Sequence, residues 1–452
     1  MTVADRAWNE LASSLRGPLL RPGDDGYDRA RRLFNAMIDR RPAAIARCAG
    51  AADVQAALAF ARAHALEVAV RGGGHNVSGK AVGEDGLMID LSGMKGVRVD
   101  PGRRTARAEP GLTLGEFDRE CQAYGLATPT GIVSATGLAG LTLGGGIGWL
   151  GGQHGLACDN LRSADLVTAD GRLRVVSADE HPDLYWAVRG AGANLGVVTS
   201  FEYALHPVGA VLGGAVAWPL EQAGAVLRFY ETFARQCPDA LNVNAGFGPG
   251  PDGRPVLGVA VAWFGPLDTG ERTLKPLRSF GTPLADLVAP MTYVDLQRGG
   301  DAGFPPGRRH YWKAGFLRRL DPGAIEVLVH FAATCPSPHT QIGLQQLHGA
   351  AARVAPDATA FPHRHEQWDC LMLSQWESPE ADEANIEWTR ALYAALAPYL
   401  ESAVYVNDLG ADEPDRVRAA YGANFARLAA IKAKYDPDNV FRGNQNVTAA
   451  AA

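Results

Sequence analysis

Three clusters of glycine constrain this chain more than any other feature: RGGGHNVSG at 71–79, a run of glycines between 137 and 155, and RGAGANLG at 189–196. A backbone without Cβ atoms can approach another surface closely and take positive φ angles. Clusters so widely spaced in sequence suit a long ligand gripped through main-chain amides, which can form nests for phosphate oxygens where side chains would clash. A dinucleotide is the natural candidate. His75 follows Gly72, Gly73 and Gly74 directly, just past an apolar strand-like run from Leu66 to Val70, and so offers an imidazole at the point of closest approach.

Two motif matches within these clusters fail on inspection. Gly74-x4-Gly79-Lys80 imitates a phosphate-binding P-loop, but Ala81 stands where the Mg²⁺-ligating hydroxyl belongs. Gly146-x-Gly148-x-x-Gly151 imitates a dinucleotide fingerprint, yet Gly151, Gly152 and Gly155 make a poor start for the helix that should hold the pyrophosphate. A Rossmann dehydrogenase using NAD(P) is therefore a lesser alternative.

With 452 residues, 47% hydrophobic and 20% charged, the chain has the size and composition for two or three globular domains. A net charge of −6 gives no reason to expect nucleic acid or an anionic membrane as partner. No uncharged apolar run reaches the roughly 18 residues of a membrane span, and the N-terminus has no apolar signal-peptide core. The cysteines at 48, 121, 158, 237, 335 and 370 form no CxxC pair, so neither a disulfide framework nor a metal site is expected. Cytoplasm is the expected compartment.

The spacing predicts a helix over 53–65, hairpins at VRVD-PGRR-TARAEPG and DLVTADGRLRVVS, and short helices near Leu114–Tyr124 and Leu184–Val188. Without regular βαβ alternation this reads as α+β. Past residue 207 glycine clusters thin out and most tryptophans appear, with strand-like VLGVAVAWFG and HYWKAGFLRRL among helices such as Ile325–Ala333. A helical tail follows Tyr421. The expected organisation is a cofactor domain at 1–207 (core about 40–207), a substrate domain at 208–410, and a segment at 411–452 returning to the first domain.

RGGGHNVSG, GLTLGGGIGWLGGQHGLACDNL, DLYWAVRGAGANLGVVTSFEYAL and YGANFARLAAIKAKYDPDNVFRGNQN, in that order, resemble the berberine bridge enzyme-like flavin oxidases, members of the vanillyl-alcohol oxidase superfamily with a PCMH-type FAD domain. The resemblance runs from about residue 40 to the C-terminus and is loosest in the middle. It implies a two-domain PCMH-type flavoprotein in which His75 is bonded to the 8α-methyl of FAD. Arg71, Gly72, Gly73, Gly74, Asn76, Ser78 and Gly79 would line the pyrophosphate and ring. Ser134, Thr136, Gly137, Gly140, Gly144, Gly145 and Gly148 would add contacts, Gly196 and Val197 would touch the cofactor by main chain, and Asn444 and Asn446 of the tail would cover it. Some members carry a second link from a cysteine; that position is Val133 here, and Cys158 falls where the family has a small residue. One covalent link is expected, with Cys158 a small buried side chain.

The base that removes a proton as hydride leaves is open among three residues. In many relatives it resembles a tyrosine just past the asparagine of a YVNY-like strand; here the segment reads Tyr405-Val406-Asn407-Asp408. Period-two alternation would put Tyr405 and Asn407 on one face and Asp408 on the other. Lys313, between Trp312 and Phe316, is the third candidate if desolvation lowers its pKa, against the alternative of a snorkelling surface lysine. His363 and His365 lack a third ligand at metal spacing, and an exposed loop is the simpler account.

The expected activity is FAD-dependent oxidation of a C–H bond beside a hydroxyl or amine of a small molecule (a secondary metabolite, sugar or alkaloid-like compound), with O₂ reoxidising the flavin to give H₂O₂. A same-fold dehydrogenase with another acceptor, or a flavin-dependent cyclase, are the alternatives. The sequence says nothing of oligomeric state.

Overall fold

A computed structural model describes residues 3–250 and 253–448. The first sheet sets Ala44–Arg47, Leu87–Asp90 and Val68–Arg71 parallel in that spatial order, with Leu19–Leu20 antiparallel at the edge. Helix Ala51–Ala63 connects two of these strands and buries Val54, Ala57, Leu58 and Ala61, one stripe at helical spacing. This is a βαβ unit that the sequence reading did not separate out. Its strands are four residues each, too short to carry a periodic signal. The second sheet is antiparallel, in the order Val97–Asp100, Thr105–Ala108, Gly196–Ala204, Leu161–Thr168, Leu173–Ser177. Both expected hairpins are in it.

The middle of the chain builds an eight-stranded sheet from strands between Val211 and Trp376. Helices Ala223–Arg235, Leu267–Arg278, Pro322–Ala333 and Asp382–Leu396 bury their apolar residues against one of its faces. Strand Gln367–Trp376 shows how the two faces divide. Trp368, Cys370 and Met372 join the core under the helices, whereas Leu371 and Leu373, pointing the other way by the two-residue period, line a large cavity. Strands Arg309–Leu317 and Gln341–Leu347 flank it on either side, both antiparallel.

The chain then comes back. Helices Val417–Tyr421 and Phe425–Tyr435 place Tyr421, Leu428, Ala429 and Ile431 in the same core as Leu184, Ala187 and Phe201 of the N-terminal part. Lys432, fully buried, spends its three donors on the Asp436 carboxylate (2.6 Å) and the carbonyls of Asn194 (2.8 Å) and Phe441 (3.0 Å). That one ammonium ties the C-terminal helix, the tail and the third glycine cluster together. The mixed sheets and helices make the fold α+β.

Candidate functional site

The glycine clusters, the free face of the large sheet and the tail surround one cavity of about 300 Å³, open to solvent on one side. Its lining runs from the glycine loop to the tail, so a ligand with two ends can be held along it. Gly72, Gly73, Gly74, His75 and Asn76 form one wall; Thr136, Gly137 and Gly140 face them; Asn444 comes from the tail; Tyr405 and Asp408 stand at the side of the large sheet. These predicted residues are therefore brought together. Gly73 and Gly137 touch: a Cβ on Gly73 would lie 2.4 Å from the Gly137 Cα, so neither can carry a side chain. Gly74 turns the chain into His75 with φ +69°, a conformation that favours glycine.

Other predicted residues point elsewhere, for reasons the spacing could not show. The Arg71 guanidinium turns inward to Asp90 (2.6 and 3.0 Å) and to the Ala30 carbonyl. Ser78 is buried and donates to Asn76, and Ser134 is taken by Asp301 through its amide (2.8 Å) and hydroxyl. Gly79, Gly144, Gly145, Gly148 and Gly196 are pressed closely by protein. A Cβ there would fall 2.6 Å from Ile38, 2.2 Å from Asn407, 2.8 Å from Phe361, 2.3 Å from the Thr130 carbonyl and 2.4 Å from the Val167 carbonyl respectively. Val197 lies in the core beside Val54 and Val167. Asn446 does not reach the cavity wall.

The candidate bases also separate. Tyr405 to Asp408 is not a strand: Val406–Asp408 is a 3-10 turn, so the expected alternation is lost and all four residues face the cavity. The Tyr405 hydroxyl oxygen accepts two hydrogen bonds, from the Gly146 amide (2.8 Å) and Asn407 Nδ2 (2.7 Å). Burial raises its pKa. Asp408 is buried beside Asp369, and burial together with that second carboxyl pushes its pKa well above the usual carboxylate range. Burial lifts Asp369 to about 6. Lys313 is off the cavity and is neither snorkelling nor pKa-lowered. It is buried, and the hydrogen bond to Asp412 (2.9 Å) and the charge of Glu413 (3.4 Å) outweigh desolvation and raise its pKa.

In the loop that carries both histidines His365 is exposed, whereas His363 is buried with its Nε2 2.8 Å from the Ala420 carbonyl. Cys158 is buried and also off the cavity, whereas Val133 lines it.

His75 has the properties that tethering asks of it. Its Nε2 is shielded and has no hydrogen-bond partner, and burial lowers its pKa to about 4, so the imidazole is neutral at neutral pH. Asn444 Oδ1 is likewise buried without a partner. An unpaired imidazole, bare main chain on two walls and an orphaned amide at the tail fit a flavin dinucleotide.

Sequence reasoning missed the rest of the lining. Gly192, Ala193 and Asn194 line the cavity from the third cluster, where Gly196 and Val197 do not. The amide of Asn194 is tied to the Ala191 carbonyl (2.7 Å) and the Val447 amide (2.8 Å). Phe304, Trp312, Gln345, Leu371 and Leu373 supply the wall from the large sheet and its approach. For the strand residues the period-two pattern was the available signal, but it does not say which face meets the cofactor.

Residues 42–177 match the FAD binding domain family, and 404–448 the berberine and berberine-like family. The FAD-linked oxidoreductase YgaK of Bacillus subtilis is 33% identical over 96% of this chain and 97% of its own. The (R)-6-hydroxynicotine oxidase of Paenarthrobacter nicotinovorans is 31% identical, with 96% and 97% covered. The crystal structure of 6-hydroxy-D-nicotine oxidase from Arthrobacter nicotinovorans superposes with a TM-score of 0.89 at 30% identity over 99% of both chains.

Proposed function

Since the chain belongs to the berberine bridge enzyme-like FAD-linked oxidoreductases, we propose that it is an oxidase taking hydride from a C–H bond beside a hydroxyl or amine of a small organic substrate. FAD seated in the cavity supplies the hydride acceptor, and O₂ carries the electrons on to H₂O₂. His75 tethers the ring through its 8α-methyl. This is the one link, because the position of the second holds Val133 and Cys158 is packed elsewhere.

The observation that carries the reading is the common cavity: a neutral, unpartnered imidazole and the Tyr405–Asp408 turn open on the same space. Of the two groups at that turn, Asp408 is the better proton acceptor. Both lone pairs of the Tyr405 oxygen are engaged by N–H donors, which leaves its proton to orient a substrate heteroatom. Burial, and after it the neighbouring Asp369 carboxyl, make Asp408 more basic, the direction a general base requires.

Ile132, Ile147, Phe304, Trp312, Leu371 and Leu373 make this part of the lining largely apolar, with Gln345, Tyr405, Asn407 and Asp408 as its polar side chains. Such walls support a compact, largely apolar substrate, in the manner of the hydroxynicotine named for one relative. An oligosaccharide would bury more hydroxyls than these few groups can bond. The six unpaired cysteines support a cytoplasmic setting. Peroxide release across a panel of aromatic amines, aromatic alcohols and oligosaccharides tests the proposal. Turnover of the first two groups is expected; turnover of oligosaccharides alone, or none with O₂ as acceptor, would overturn it.

A further inference from the structure

We propose that Phe34 is the positioning residue for flavin attachment, holding the His75 imidazole in a three-ring stack with His310. The inference rests on the reading of His75 as the tether. Phe34 lies flat between the two histidines, 4.0 Å from the His75 ring centroid at 14° and 4.3 Å from that of His310 at 24°. Trp312, which also lines the cavity, closes the stack edge-on, 6.1 Å from Phe34 and 5.7 Å from His310.

The backbone around Phe34 is built to keep it there. Its amide donates to the Gly74 carbonyl (3.1 Å), and that of Ala36 to the Arg308 carbonyl (2.9 Å). Between them Asn35, buried, donates from Nδ2 to the carbonyls of Val77 (2.9 Å) and His310 (2.9 Å) and accepts from the His310 amide (3.0 Å). Residues 34–36 thus strap the glycine loop to the first strand of the large sheet that reaches it, with Phe34 at the join.

No side chain holds the His75 Nε2, which has no hydrogen-bond partner. His310 has none on either ring nitrogen, so it backs Phe34 as an uncharged plate. An imidazole rotates broadly about its last torsion, and attachment needs one nitrogen aimed at one carbon. The C–N bond replaces an imidazole N–H and a C–H of the 8α-methyl. Two electrons and two protons pass to the ring system and from there to O₂, giving H₂O₂. Orientation of the two reacting atoms sets the rate of such a step, and here an aromatic face supplies it.

The test measures total flavin and acid-precipitable flavin in purified Phe34→Leu, Phe34→Tyr and His75→Ala proteins, and the growth of the acid-precipitable fraction when FAD is added. Phe34→Tyr keeps the stack and should attach flavin as the unmodified protein does. Phe34→Leu should hold FAD non-covalently and attach it at least tenfold more slowly. Attachment by Phe34→Leu at the unmodified rate overturns the proposal, as does a Phe34→Tyr protein as slow as Phe34→Leu. If Phe34→Leu does not fold, Phe34→Met, similar in volume and also without a ring, takes its place under the same criterion. Acid-precipitable flavin in His75→Ala would instead refute the tether itself, whatever Phe34 does.

Discussion

Replacing Gly140 and Gly73 by alanine, one at a time, distinguishes glycines that face the ligand from glycines that face protein. Gly140 lies in helix Leu138–Gly144 and lines the cavity, and a Cβ there would meet no atom within 4 Å. Within the helix, alanine is favoured over glycine by about 0.5–1 kcal/mol, so the flavin-free protein should gain up to that much stability. The new methyl, however, stands in the space of the cofactor. An extra methyl group in a fitted site costs about 1–3 kcal/mol, which at 1.4 kcal/mol per tenfold is a loss of roughly five- to 150-fold in FAD affinity. At Gly73 the balance reverses. Its Cβ would lie 2.4 Å from the Gly137 Cα, more than 1 Å inside the ordinary contact of about 3.5–4.0 Å, and main chain cannot rotate away. Destabilisation of at least about 1–3 kcal/mol is expected without any ligand. Urea unfolding of flavin-free protein reads the first quantity, and FAD titration in a His75→Ala background, where binding is reversible, reads the second. A Gly140→Ala protein that loses stability, or keeps FAD affinity within twofold, would refute the assignment of that glycine to the ligand.

Three further outcomes follow from the same geometry. Asp369 is held protonated in the fold up to about pH 6, while its unfolded counterpart ionises near 3.8; the fold therefore carries no penalty below that pH, loses stability as pH rises toward 6, and stays penalised above. Asp369→Asn should remove part of this dependence, gaining stability at pH 8 but not at pH 3 by denaturant unfolding at the two pH values, while Asp408, shifted in the same direction, keeps the remainder. Tyr405→Phe leaves the Gly146 and Asn407 donors short of an acceptor, so a stability loss of about 1–3 kcal/mol and a fall in kcat are expected by unfolding and steady-state kinetics. Lys432→Met strands the buried Asp436 carboxylate and should cost about 3–5 kcal/mol, together with proteolytic release of the C-terminal segment.

Much of the site was legible because its signals are local. Consecutive glycines before His75 announce close approach whatever the tertiary context, and Val133 in place of cysteine is a statement about one side chain. What stayed hidden depends on neighbours distant in sequence. Gly140 and Gly144 share one helix, yet one faces the cavity and the other the Asn407 side chain; glycine has no side chain to betray the difference. Arg71 and Lys313 were misplaced because their partners, Asp90 and Asp412, lie far along the chain. The Tyr405 segment follows a long run of strand and helix patterns, but three residues of 3-10 turn erase the two-residue period on which its reading depended.

The central claim is that FAD occupies this cavity on a bond to His75. Mass spectrometry of a tryptic digest of the acid-precipitated protein tests it most directly. The account predicts that the flavin mass travels on the peptide containing His75 and on no other. Free flavin in the supernatant with an unmodified His75 peptide, or flavin carried by a peptide containing Cys158, would contradict it.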